Sequence, residues 1–259
     1  MVKLPLGINI DSLINNLRTL SWEACDILNY YSQMLRDKHD ISNIIKKNNN
    51  DPVTLADLKV NEIIINRITE NYKGINWDIL SEESVKVSSE NCDINSDWLW
   101  ILDPLDGTKD FIQGTCNYAM HLALNYKKRP IIGIVLIPGN EELWFAVGAE
   151  VWGEKKDGSK IKPNLSNNKK LQKMSLVTSK NHRNQTLERL IKEINFKEVK
   201  VMGSIGCKIA SIVRGDNDIY ICLSQPGKSS PKDWDFAAPE AILNASGGAI
   251  TNLDNVALT

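Results

Sequence analysis

WILDPLDGTKDF, Trp100 to Phe111, joins an apolar run to two aspartates three residues apart, followed by a glycine, a threonine and a lysine. The apolar half reads as a buried strand that ends where charge begins. Pro104 fixes its own φ and biases Asp103 toward an extended conformation. The turn then presents the Asp103 and Asp106 carboxylates and the Leu105 carbonyl in one direction. Hard divalent cations take all-oxygen donor sets of this kind. Gly107 and Thr108 open a short helix, whose free backbone N–H groups suit an anion. The competing reading is a plain turn with Asp106 capping a helix.

Working outward from this corner, Trp98–Leu102 is the first strand of a meander, followed by Ala119–Tyr126, Ile131–Ile137 and Leu143–Val147. Turns rich in Lys, Pro, Gly and Asn separate them. Upstream, apolar residues at three- and four-residue steps predict helices over Asp11–Lys38 and Thr54–Tyr72. Lys46–Asn50 reads as a polar break, Ile79–Leu80 as a short apolar segment, and Val85–Ser96 as exposed. Downstream, strand Ser175–Thr178, helices Gln185–Ile194 and Lys208–Arg214, strand Asp218–Leu223 and helix Phe236–Ala245 alternate as in an α/β unit. The polar segment Asp157–Lys170 is the boundary candidate. It divides an N-terminal α+β domain, 1–158, from a C-terminal α/β domain, 159–259.

The 259 residues carry 42% hydrophobic and 24% charged side chains with a formal net charge of −1. Near-neutrality gives no general attraction to nucleic acid or to an anionic membrane, so an anionic ligand needs a local site. Cys25, Cys92, Cys116, Cys207 and Cys222 are scattered without a CxxC pair, which argues against a disulfide framework or a zinc site. The opening MVKLPLGINIDSLINN has no long apolar core or small-residue cleavage site, and no later run is long enough to span a bilayer. The expectation is a reduced, cytoplasmic protein.

Three further acidic places stand beside Asp103/Asp106: Asp51/Asp57, Glu82/Glu83 and Asp233/Asp235. Each lies where a regular element meets a loop, and in α/β proteins such junctions gather at one crevice. Taken singly, each has a structural explanation. Thr54-x-x-Asp57 is a capping box, SEES is a solvated loop, and Asp235 caps the last helix with Pro239 near its first turn and Gly247-Gly248 at its end. His39, His121 and His182 are isolated; His121 on the apolar AMHLAL strand reads as a core residue. Trp234 stands beside Asp235 and is placed to orient it.

The set DPVTLAD, LSEES, WILDPLDGTKDF and KDWDFAAPEAILNASGG, in this order, resembles the inositol monophosphatase superfamily of magnesium-dependent, lithium-sensitive phosphomonoesterases. Within it the resemblance is greatest to the CysQ-type 3′(2′),5′-bisphosphate nucleotidases of sulfur metabolism, from Lys109 and the KDWDFAAPE form. It implies the layered αβαβα sandwich of the inositol monophosphatase and sugar phosphatase type, an α/β fold. It also implies two or three Mg²⁺ ions per active site. Glu82, Asp103 and the Leu105 carbonyl would hold one ion, and Asp103, Asp106 and Asp235 a second. Asp57 with Thr108 would orient and deprotonate the attacking water. Gly107 and Thr108 N–H groups would grip the phosphate, and Lys109, Gly203, Ser204 and Lys208 would lie on the substrate side.

The implied reaction is hydrolysis of the 3′-phosphate of adenosine 3′,5′-bisphosphate, or of its sulfated form, by a monomer or homodimer with a small phosphorylated nucleotide as its partner. An inositol-1-phosphatase or fructose-1,6-bisphosphatase of the same fold is the alternative enzyme. An inactive metal- or nucleotide-binding regulator is the alternative of another class. Dehalogenase-type phosphatases use a similar aspartate-rich turn, but there the two aspartates are two residues apart. Two departures stand out: Ser81 replaces the glycine common before the acidic pair, and the family's further strand and helix would follow beyond Thr259.

Overall fold

The computed structural model describes residues 4–37, 45–48, 51–87, 94–180, 183–223 and 230–257. His39, His182 and Cys92 lie outside them. Among the described residues no helix is long and apolar enough to cross a membrane.

Helix α1, Ile10–Arg36, is capped by Asn9, whose side chain accepts from Ser12 N–H. Strands β1, Ile45–Asn48, and β2, Asp51–Thr54, pair antiparallel. The stretch expected to be a polar break is thus largely a hairpin arm; its Lys/Asn composition carries no alternating apolar signal that sequence patterning detects. Helix α2, Leu55–Asn71, begins at Thr54 with the expected capping box. β3, Asp78–Ser81, leads directly into the short helix α3, Glu82–Val87, so part of the segment expected to be irregular is helical.

A seven-stranded sheet runs in the order β3-β4-β5-β6-β7-β8-β9. β4 is Trp98–Asp106, β5 Ala119–Tyr126, β6 Arg129–Ile137, β7 Glu142–Val147, β8 Glu150–Lys155 and β9 Lys160–Ile161. β3 joins β4 in parallel, and the rest is the antiparallel meander. Strand alternation divides its side chains between two cores. Trp100, Leu102, Met120, Leu122, Leu124, Ile134 and Phe145 pack against α1 and α2. Ile101, Ala119, Ala123, Val135, Trp144 and Ala146 pack on the other face.

That second face is covered by α6, Ile205–Val213, and α7, Asp233–Ala245. Gly133 of β6 permits the approach of α7, since a Cβ there would lie 2.6 Å from the Ala241 Cβ. Beyond lies a parallel three-stranded sheet, ordered β11-β10-β12, from β10, Ser175–Ser179, β11, Glu198–Met202, and β12, Ile219–Ile221. Helix α5, Gln185–Ile194, connects β10 to β11, and α4, Thr108–Ile112, follows β4. The mixed α/β architecture, a central sheet flanked by helices, is the one expected.

Helix α6 starts three residues before its expected beginning, because Ser204 caps it by accepting from Cys207 N–H. Helix α7 also starts earlier than expected. Asp235 is its third residue rather than its cap, and its carboxylate accepts from Lys232 N–H at 2.5 Å. Pro239 consequently sits inside the helix, at its seventh residue, and leaves the Asp235 carbonyl without the usual helical donor.

Candidate active site

Asp103 and Asp106 stand on one strand, yet three residues along a regular strand would aim them to opposite faces. β4 avoids this with a bulge. Asp103 pairs with His121 and Asp106 with Ala119, and the register shifts between them. Pro104 and Leu105 lie opposite the single residue Met120, and this one extra residue re-aims the second carboxylate. Leu105 N–H donates to Asp103 Oδ1 at 3.0 Å, which fixes the turn, while its side chain is buried in the core. The chain then turns at Gly107 with φ 88° and ψ 33°. A Cβ at this position would lie 2.8 Å from the Asn117 carbonyl and 3.3 Å from the Ser204 Cβ, so only glycine fits.

Asp235 comes from the first turn of α7. Its carboxylate, with those of Asp103 and Asp106, presents oxygens that all lie within 4.8 Å of one another. Glu82, at the start of α3, is hydrogen-bonded to Asp103. Four acids from three separated stretches therefore meet at one corner. Asp57 is fully buried in the first turn of α2 and lies close enough to Glu83 and Glu82 to feel their charge. Its Oδ2 accepts from Thr54 N–H at 2.8 Å and from Thr54 Oγ1 at 2.5 Å. Its Oδ1 is buried without a partner among the described residues, which leaves it free to receive a ligand such as water.

The electrostatics agree with a cation cage. Burial, followed by repulsion from Glu82, Asp106 and Asp235, pushes the Asp103 carboxyl well above its usual range. Burial raises Glu82 as well. Asp57 rises to about 7, chiefly through burial and against the hydrogen bonds from Thr54. Asp235 also rises to about 7 through burial and the nearby Asp106. Buried like charges are unstable unless protonated or neutralised, and a divalent cation reverses the pressure on all of them at once. The donors are oxygens only, which fits Mg²⁺ or Mn²⁺ better than a softer metal.

Residues around the acids hold this corner in place, most of them without an expected role. Asp106 Oδ2 accepts from Ser204 Oγ at 2.7 Å, Ile205 N–H at 2.5 Å and Gly206 N–H at 3.1 Å. The start of α6 thereby grips one oxygen of the carboxylate. His121 is buried behind it, with Nε2 3.3 Å from Asp106 Oδ2 and Nδ1 3.3 Å from the Trp234 carbonyl. Burial pushes its pKa down. Gly206 leaves room for this ring, since a Cβ there would lie 2.2 Å from Nε2. Ser81 Oγ bonds the Asn61 side chain, tying the end of β3 to α2.

The expected substrate-side residues divide. Thr108 is half-buried and its Oγ1 donates to the Leu105 carbonyl at 3.0 Å, so it is anchored to the same turn. Lys109 is exposed. Gly203 lies against Asp110, where a Cβ would come within 2.0 Å of Oδ2. Ser204 is buried and faces Asp106. Lys208 is fully buried and donates to the Met202 and Gly203 carbonyls at 3.2 and 2.7 Å. Its ammonium also lies 5.2 Å from the centre of the Tyr220 ring. It thus supports the Gly203–Ser204 turn from beneath. Nothing in the linear pattern of VMGSIGCK distinguishes such a buried lysine from an exposed one.

Residues 9–258 match the model of the inositol monophosphatase family. Among curated proteins, the chain is similar to the 3′(2′),5′-bisphosphate nucleotidase CysQ of Buchnera aphidicola. It is 31% identical to that protein over 249 residues, covering 94% of this chain and 88% of the relative. The protein of the same name from Haemophilus influenzae is 28% identical over 207 residues, covering 79% and 73%. Among solved structures, the extragenic suppressor protein suhB of Bartonella henselae superposes with a TM-score of 0.74 at 21% identity, over 95% of this chain and 89% of that one. The inositol monophosphatase of Anabaena does so with 0.73 at 22% identity, over 97% and 88%. At these identities the two structures speak for the fold.

Proposed function

The chain belongs to the inositol monophosphatase family and is a phosphatase, and from that premise we propose that it is a Mg²⁺-dependent nucleotidase. It removes the 3′-phosphate of adenosine 3′,5′-bisphosphate, giving AMP and inorganic phosphate. The observation that carries the proposal is the meeting of the Asp103, Asp106 and Asp235 carboxylates within 4.8 Å, with Glu82 hydrogen-bonded to Asp103. The choice of substrate is supported by the names of the relatives, CysQ 3′(2′),5′-bisphosphate nucleotidases.

Glu82, Asp103, Asp106, Asp235 and the Leu105 carbonyl would hold the cations. When bound, Mg²⁺ supplies Lewis-acid activation of water, charge neutralisation on the phosphoryl oxygens and stabilisation of the leaving alkoxide. The protein's own groups do the rest. Asp57 Oδ1, buried and unpartnered among the described residues, takes the proton of the attacking water. Burial holds this carboxyl above its usual range, which makes it a stronger base than an exposed carboxylate. Thr108 Oγ1, whose hydrogen is given to the Leu105 carbonyl, keeps its lone pairs for the same water and orients it. The Gly107 and Thr108 N–H groups, at the start of α4 and without intrahelical acceptors, face the phosphate. The Gly203–Ser204 turn, braced by Lys208, forms the opposite wall and fixes Asp106.

Phosphate release from adenosine 3′,5′-bisphosphate, its sulfated form, inositol 1-phosphate and fructose 1,6-bisphosphate, with and without Mg²⁺, tests the reading. Preferred, Mg²⁺-dependent turnover of the nucleotide supports it. Preference for inositol 1-phosphate would transfer the same site to the other substrate class, and no turnover of any of the four would overturn it.

A further inference from the structure

Glu82 and Glu83 begin α3, and Lys86 closes its first turn on the same face. Lys86 Nζ lies 2.9 Å from Glu82 Oε1 and 2.8 Å from Glu83 Oε1. These are not ordinary surface pairs, because the Glu83 side chain is 3% exposed, Glu82 19% and Lys86 22%. Glu82 is at the same time the acid hydrogen-bonded to Asp103. The lysine therefore neutralises a carboxylate that the cation cage also claims. An ammonium and a divalent cation repel one another strongly at the distance a shared carboxylate imposes.

We propose that Lys86 is a built-in counter-cation: it occupies Glu82 when the metal site is empty and withdraws to Glu83 when a divalent cation binds. The inference rests on Glu82 being a ligand, as in the reading above. Its geometry needs no backbone change, since the flexible four-carbon stem already spans both carboxylates. Glu83, buried in the first turn of α3, retains the ammonium once Glu82 turns to the metal. The consequence is a tuned affinity. Lys86 limits the repulsion inside the empty cage, and by competing for Glu82 it weakens cation binding and eases release. It is a positioning residue, acting through Glu82 rather than on substrate.

The test is Mn²⁺ binding to the metal-stripped protein, measured by calorimetry and by the paramagnetic resonance of free Mn²⁺. Lys86→Met keeps the length of the stem and removes the charge. It should bind Mn²⁺ roughly ten-fold more tightly than the parent, and Lys86→Arg should stay close to the parent. Lys86→Gln serves as the second neutral variant if the methionine variant lacks a cooperative melt. Glu82→Gln, measured alongside, should weaken binding whatever Lys86 does. Unchanged or weaker binding in the neutral Lys86 variants, with Glu82→Gln weakened, overturns the proposal and leaves the ligand assignment standing. Parental binding in Glu82→Gln overturns both.

Discussion

Replacing Asp57 with asparagine separates the chemistry of this carboxylate from its burial. The side-chain oxygen of asparagine can still accept from Thr54 N–H and Thr54 Oγ1, as Asp57 Oδ2 does, so the capping of α2 survives. What disappears is a buried acid whose pKa has been raised from 3.8 to about 7. The sign follows from proton binding. Between these values the folded parent holds a proton that the unfolded chain has released, so the parent loses stability as pH rises until the folded acid itself ionises. The gap between 3.8 and 7, at 1.36 kcal/mol per pH unit, is about 4 kcal/mol and is fully expressed by pH 8. At pH 5 less than half of it is expressed. In EDTA, Asp57→Asn should therefore exceed the parent in stability, and its advantage should grow from pH 5 to pH 8. Denaturant unfolding at the two pH values measures this. With Mg²⁺ and substrate restored, turnover should fall by about 10² to 10⁴, the usual contribution of a general base. Near-parental turnover, or a stability difference independent of pH, would refute the reasoning.

The parent itself, stripped of metal, should melt at progressively lower temperature from pH 5 to pH 8, because Asp57 and Asp235 rise to about 7 and Asp103 and Glu82 are raised as well. Added Mg²⁺ should remove most of that slope; a melting temperature flat in pH without metal would contradict the assignment. Asp103→Asn should fold but require at least about ten-fold more Mg²⁺ for half-maximal turnover, since one of the cage's charges is gone. An unaltered Mg²⁺ dependence would count against the cage. Ser204→Ala removes both the cap on Cys207 N–H and the hydroxyl on Asp106. It should cost about 1–2 kcal/mol in denaturant unfolding and weaken Mn²⁺ binding, and stability within error of the parent would show the hydroxyl to be idle.

The elements with strong periodicity were legible in sequence: α1, α2 and the meander of β5 to β7 begin and end within about two residues of expectation. The acids of the corner were legible as well, because each follows a recognisable apolar run or capping pattern. The bulge that aligns Asp103 with Asp106 was not, since Pro104 and Leu105 also suit a simple turn leaving the strand. The true start of α7 was hidden by Asp235 itself: an aspartate before an apolar run fits a cap, and its actual bond to Lys232 N–H shows only in three dimensions. Ser204 and Lys208 were placed on the substrate side by the family resemblance alone; that tertiary packing buries both, one against Asp106 and one beneath the turn, has no signal in the linear sequence. The burial of His121 was legible from its apolar strand, but its place behind Asp106 was not, and Lys86 carried no signal of its position. Their importance comes from what β5 and α3 place beside them, Asp106 in one case and Glu82 in the other.

The central claim is that these separated acids bind divalent cations together. Crystals of the protein soaked in Mn²⁺ and measured at the manganese absorption edge test it directly. The account predicts anomalous peaks bounded by Asp103, Asp106 and Asp235, with Glu82 or the Leu105 carbonyl in coordination. Manganese elsewhere on the molecule, with this corner empty at saturating Mn²⁺, would contradict it.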